Sequence, residues 1–219
     1  MKLRAIILII SCCPFSISSF AQKNEVTFSV GAVATSDQQT NLVGVTCPVN
    51  QPACAGPFKT STDTGVAFEG TFTRRIFNFH VFSIGAEFPI VGVPSRDTTT
   101  ALTGAIPVGS PGSAPVKSSV SSIFFTPSAR IKFLPSSPIS PFFSLGGGLA
   151  HYEAANAITR GALQYGGGLD FKTPLPHLGL RIEARDFWAR GFNESSGITR
   201  VSPERLHNVL AGGGVVIRF

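Results

Sequence analysis

The chain has 219 residues, enough for one domain, and is rich in glycine (23) and phenylalanine (19), with only 14% of its residues charged. No long stretch keeps a helical period, so this composition favours strands and excludes a helical bundle. The formal net charge is +6, from 18 Lys and Arg against 12 Asp and Glu. These cations are scattered singly and never interleave with aromatics, which excludes a nucleic-acid partner, since electrostatic binding needs several cations on one face.

Met1-Lys2-Leu3-Arg4 is a short basic start, residues 5–13 are apolar, and a Ser-rich end runs to Phe20-Ala21-Gln22. This is the pattern of a secretory signal peptide, so residues 1–21 are expected to be removed and residues 22–219 to form the exported domain. The apolar run is too short for a spanning helix, which needs about 20 residues. Ile9-Ile10-Ser11-Cys12 permits a second reading, a lipoprotein box in which Cys12 is lipidated. Past the leader, Cys47 and Cys54 flank a polar connection. In an oxidising exported compartment such a pair favours a disulfide that pins a loop tip. A zinc site would need four ligands, and no His lies nearby.

Period-two alternation marks eight strands: residues 26–34, 65–74, 77–90, 120–133, 139–152, 160–172, 178–188 and 208–219. In each, one parity is apolar, as with Val26, Phe28 and Val30, or Leu178, Leu180 and Ile182. On the other parity fall Glu69, Glu87, Arg130, Lys132, Asp170, Arg181, Glu183 and Arg185. Strands of about 10 to 13 residues are long for a soluble sheet and suit a tilted crossing of an outer membrane. The connections alternate in length: residues 35–64, 91–119 and 189–207 are long, 153–159 intermediate, and 75–76, 134–138 and 173–177 short. Brief turns at one end and longer loops at the other are expected of a transmembrane barrel, with both termini in the periplasm.

If the apolar parity faces lipid, the charged parity faces the lumen, where both signs must pair. An interior just wide enough for side chains would be filled by that network, although its many glycines leave a narrow charged pore as a second reading. Two aromatic belts are expected, Tyr152, Tyr165 and Trp188 toward the outer loops and Phe77, Phe79, Phe133, Phe142, Phe171 and Phe219 toward the periplasm.

The triplets at Gly146, Gly166 and Gly212 lie inside strands, so they are not phosphate-cradling loops, and Gly-x-Ser-x-Gly does not occur. Lys59, Arg96, Lys117, Arg190, Arg200 and Arg205 fall in outer connections, where guanidinium and ammonium groups can meet lipopolysaccharide phosphates. Asn193-Glu194-Ser195 matches a glycosylation sequon, a weak and common signal.

The closing stretch carries a resemblance. Phe219 is terminal, Ile217 lies two residues before it and Gly214 further back. With the loop alternation, this pattern resembles the small eight-stranded bacterial outer membrane β-barrel family, of the OmpA transmembrane-domain and OmpX kind. The resemblance implies an all-β, eight-stranded antiparallel up-and-down transmembrane barrel in the cell outer membrane. It makes Gly214, Ile217 and Phe219 an assembly signal read by the barrel assembly machinery. It also implies a structural or surface-interaction role among outer membrane lipids and lipopolysaccharide, with an extracellular ligand reached through the loops, no cofactor and no catalysis. Two other readings stand beside it. A lipid A enzyme is disfavoured because the His-x-Ser motif of such deacylases fails at His151 and at His80. A soluble exported barrel carrying a small apolar ligand would turn its apolar parity inward.

Overall fold

The computed structural model describes residues 23–40, 58–102, 115–154, 157–190 and 205–219. The leader, Cys47, Cys54, Arg200 and the Asn193 sequon lie outside them. The described chain forms β1 (Asn24–Thr35), β2 (Gln38–Thr40), β3 (Phe58–Thr62), β4 (Gly65–Asn78), β5 (Phe82–Leu102), β6 (Val116–Phe125), β7 (Ser128–Phe133), β8 (Ile139–Glu153), β9 (Ala157–Lys172), β10 (Leu178–Arg190) and β11 (Arg205–Arg218). β6 and β7 are two halves of one strand, interrupted at Thr126 and Pro127 because proline has no N–H for the ladder. Counted as one, they complete an antiparallel ring of eight in the order β1, β4, β5, β6/β7, β8, β9, β10, β11 and back to β1.

Closure comes from β1 and β11, paired without interruption from Glu25 with Arg218 to Thr35 with Asn208. The terminal strand therefore has no free edge along this seam. Phe219 and Asn24 exchange two backbone hydrogen bonds of 3.0 Å at its end. Both ends of the described barrel lie on the side of the short turns.

The alternating side chains make the barrel inside-out relative to a soluble protein. Phe28 is 62% exposed on the outer wall while Glu87 is wholly buried within. Phe68, Ile90, Leu145, Leu163 and Ile182 share the outer face; Thr27, Ser29, Thr71, Ser144 and Gln164 share the lumen. This is the arrangement of a transmembrane barrel, and the opposite of what a soluble carrier of apolar ligands requires.

Several expectations need correction. β4 continues through residues 75–76 to Asn78, and the turn comes at Phe79–Val81, where Phe79 N–H donates to the Phe82 carbonyl at 2.8 Å. Its register shifts between Arg75 and Phe77, so Ile76 is the extra residue of a bulge rather than part of a turn. β5 runs on to Leu102, with a second irregularity between Val93 and Arg96 that absorbs Pro94. β3 pairs with this extension and β2 with β3, carrying the sheet beyond the ring. Two residues of the expected aromatic belts turn inward instead: Tyr152 and Phe142 are both buried in the lumen.

The lumen also has two levels, where a single polar one was expected. Toward the outer loops Val33, Val91, Val120, Phe124, Tyr152 and Phe187 belong to an apolar cluster, with the Phe124 and Phe187 rings stacked at 4.8 Å. Below it, toward the short turns, lie the charges.

Candidate functional site

Glu25 begins the charged level, and it lies one residue before the start that alternation gives the first strand, at Val26. It shares parity with Thr27 and Ser29, which was the available signal. Arg130 Nη1 donates to Glu25 Oε2 at 3.2 Å and Lys132 Nζ to Oε1 at 3.1 Å. Arg218, also missed, approaches Oε1 to 3.4 Å through Nε. Asp170 receives Arg130 Nη2 and Lys132 Nζ at 2.6 Å and Arg181 Nε at 2.7 Å.

Higher in the lumen, Arg185 gathers three carboxylates. Its Nη2 lies 3.1 Å from Glu87 Oε1, 3.2 Å from Glu69 Oε1 and 2.8 Å from Glu183 Oε2. Ser128 Oγ donates to Glu87, Ser29 Oγ to Glu183 and Thr71 Oγ1 to Glu69. Arg181 Nη1 links the two groups at 3.6 Å from Glu87 Oε1. The structure thus places Glu69, Glu87, Arg130, Lys132, Asp170, Arg181, Glu183 and Arg185 in one connected network and adds Glu25 and Arg218. Five carboxylates face five cations, so the cluster is neutral as a whole, which is the condition for keeping so many charges out of water.

Phe142 seals the cluster from one side, its ring centroid 4.1 Å from the Arg130 guanidinium carbon and 4.7 Å from that of Arg181. A Cβ at Gly168 would meet the Ile182 carbonyl oxygen first and then Glu183 Cα and Phe142 Cε1, both at 2.9 Å, so neighbouring backbone and the ring together require glycine there. At Gly146 and Gly148 the backbone of the next strand, rather than a bulky lumen side chain, occupies the space. The space left between Glu25, Thr73, Ser83, Arg130 and Lys132 is about 20 Å³, room for one water molecule. A wider vestibule of ≈ 470 Å³ opens at the short-turn end, with Arg75, Lys132, Lys172 and Arg218 around Glu25.

The outer cations divide. Arg96 is not a loop residue; it turns into the lumen, is buried, and donates to Thr35 Oγ1 at 2.8 Å. Lys59 pairs with Asp37 at 2.7 Å, and Lys117 is exposed. His151 stands on the outer wall, its Nδ1 2.8 Å from Thr159 Oγ1, whereas His80 lies in a short turn at the other end. In the closing strand Gly214 pairs with Ser29 and Arg181, and Ile217 with Val26 and Leu178.

A polar cluster on the outer wall was not foreseen. Asp186 shares parity with Ala184 and Ile182, yet it is buried, because Tyr165 and His207 flank it on the neighbouring strands. Tyr165 OH donates to Asp186 Oδ2 at 2.6 Å, and His207 Nδ1 meets the same oxygen at 2.6 Å. Trp188 stacks on the His207 ring at 6.1 Å.

No family model matches this chain, and no curated protein matches its sequence. Solved structures do match in fold. The outer membrane protein OprG from Pseudomonas aeruginosa is similar over 91% of this chain and 96% of its own, with TM-score 0.58 and 13% identity. Neisserial surface protein A is similar over 90% and 97%, at 0.50 and 13%, and the outer membrane protease OmpT from Escherichia coli over 92% and 99%, at 0.51 and 7%. At these identities the likeness is one of architecture, and it agrees with the closed ring: the chain has the fold of the small outer membrane β-barrels.

Proposed function

We propose that this protein is an integral outer membrane barrel with a structural or surface-interaction role, acting through its outer wall and extracellular loops and neither conducting solutes nor catalysing a reaction. The observation that carries this reading is the filled lumen. Five carboxylates and five cations lie under an apolar layer containing Phe124, Tyr152 and Phe187, so side chains fill the described lumen at both levels. What remains accessible is the outside. The short-turn end with both termini faces the periplasm, and the sheet extension of β2, β3 and β5 projects outward toward an extracellular ligand. The neighbours on the wall are outer membrane lipids and lipopolysaccharide, and the barrel assembly machinery inserts the chain.

Two measurements on the envelope fraction test this. Unboiled protein is expected to run faster than boiled protein on a denaturing gel, and planar bilayers containing it to show no conductance steps. Discrete steps would replace the sealed barrel by a pore. Release into the soluble fraction without detergent would overturn the membrane reading, and altered lipid A acylation on overexpression would overturn the non-enzymatic one.

A further inference from the structure

We propose that Tyr165, Asp186 and His207, with the groove beside Trp188, form a binding site for a phosphorylated lipid of the outer leaflet, its phosphate on His207 and one acyl chain along the groove. The proposal rests on the outer membrane reading above and names a partner for the barrel's outer wall.

A carboxylate on the lipid-facing parity is costly unless it is paired, and the cost is largest at mid-membrane. Asp186 is held by two donors on one oxygen, Tyr165 OH and His207 Nδ1. In the proposed complex both ring nitrogens of His207 carry hydrogen, Nδ1–H serving Asp186 and Nε2–H the phosphate. The geometry of imidazole then turns its Nε2–H away from Asp186. The His207 side chain is 47% exposed, against 10% for Asp186, so the donor side is open and the carboxylate is behind it. Stacking against Trp188 fixes the ring. The arrangement offers a single oriented cationic donor, which complements a phosphate oxygen and not an ammonium headgroup.

Its height fits an interface. Trp188 lies ten residues along β10 from Leu178, about 23 Å up the barrel axis at ~3.3 Å per residue and a tilt of about 45°. The apolar band of such barrels is about 25 Å tall, so the cluster sits at its outer margin, where lipid phosphates begin.

The groove continues the same row of residues. Gly147 pairs with Leu163, Leu163 with Trp188, and Trp188 with His207. Around Gly147, Gly161, Leu163 and Trp188 the wall is recessed by about 380 Å³. A Cβ at Gly161 would meet nothing within 4 Å. An outward strand position without a side chain, beside an aromatic ring and in line with a cationic donor, suits an acyl chain whose phosphate ends at His207.

Trp188 is the only tryptophan in the chain, so its fluorescence reports on this site alone. The folded full chain in detergent micelles would be titrated with dioctanoyl phosphatidic acid, dioctanoylglycerol and inorganic phosphate. Phosphatidic acid is expected to give a saturable change, while the glycerolipid without phosphate and the free anion give none. His207→Gln should weaken binding about tenfold, the loss of one charge-assisted hydrogen bond, and His207→Arg should restore most of it. Gly161→Leu, which fills open space, should weaken binding with the cluster intact. An equal response to dioctanoylglycerol, a full response to inorganic phosphate, or unchanged affinity in His207→Gln would overturn the proposal. Heat-shifted mobility is measured on every variant. Wild-type protein that keeps the gel shift but ignores phosphatidic acid sinks the lipid site alone, whereas loss of the shift in wild type sinks the barrel reading.

Discussion

Arg185 on β10 spans the lumen to Glu87 on β5, with Nη2 3.1 Å from Oε1 and Nη1 3.2 Å from Oε2. The two strands stand four places apart in the ring of eight, so this bidentate pair ties opposite walls together. Arg185 also serves Glu69 and Glu183. Arg185→Ala would leave three buried carboxylates short of a counter-charge, and a loss of about 3–5 kcal/mol in stability is expected. Urea unfolding in detergent measures it, and a midpoint equal to wild type would show that the network does not hold the walls.

Phe142 closes the same level from the side. Phe142→Ala removes the ring that lies over Arg130 and Arg181, at an expected cost of about 3–5 kcal/mol. It also opens a gap beside the charges. Bilayer recordings of this variant should stay silent, because the apolar layer of Phe124, Tyr152 and Phe187 still closes the lumen above; conductance steps would place the seal at Phe142.

Two glycines separate packing from propensity. Gly168→Ala drives a methyl into the Ile182 carbonyl oxygen and to within 2.9 Å of both Phe142 Cε1 and Glu183 Cα, and should destabilise by about 1–3 kcal/mol through overpacking. Gly161→Ala adds the same methyl to open space and should be neutral or gain up to about 1 kcal/mol. The fraction of unboiled protein in the fast gel band, followed against urea, compares them. Equal effects would remove steric crowding as the reason for glycine at 168.

Phe219 has two separable parts. Its backbone exchanges two hydrogen bonds with Asn24, while its side chain is the part proposed to be recognised during assembly. Deleting Phe219 should lower both refolding in detergent and the level in the outer membrane. Phe219→Ala should refold normally in vitro yet accumulate poorly in the envelope. Normal envelope levels of the alanine variant would deny the side chain a signalling role.

Much of the wall was legible because strand parity is strict: once Phe28, Phe68 and Ile182 are placed outside, the side of Glu69, Glu87 and Arg181 follows. Errors gathered where parity is interrupted or where a position is judged by composition. The bulge at Ile76 looked like a turn, and the irregularity at Val93–Arg96 hid the length of β5, which carried Arg96 indoors. Distance from the strand ends points Tyr152 and Phe142 to the belts, whereas their own parity points inward. The Asp186 cluster could not be read in advance. Tyr165, Asp186 and His207 meet only through the registers of three strands, and register between strands is not written in any one of them.

The seam between β1 and β11 joins Glu25 to Arg218, residues from the two ends of the chain. Glu25 draws its partners from β7, β10 and β11, so its charge is compensated only when the first strand has met the last. Closing the circle and neutralising the interior are therefore a single event. An incomplete barrel would hold Arg130, Lys132 and Arg181 with Asp170 but without Glu25, a local shortage of carboxylate partners that membrane lipid tolerates poorly. The chain has little to gain from inserting early, and contacts this distant in sequence make the final step slow. Folding intermediates should accordingly stay at the water side of the membrane until the C-terminal strand docks, and then cross together.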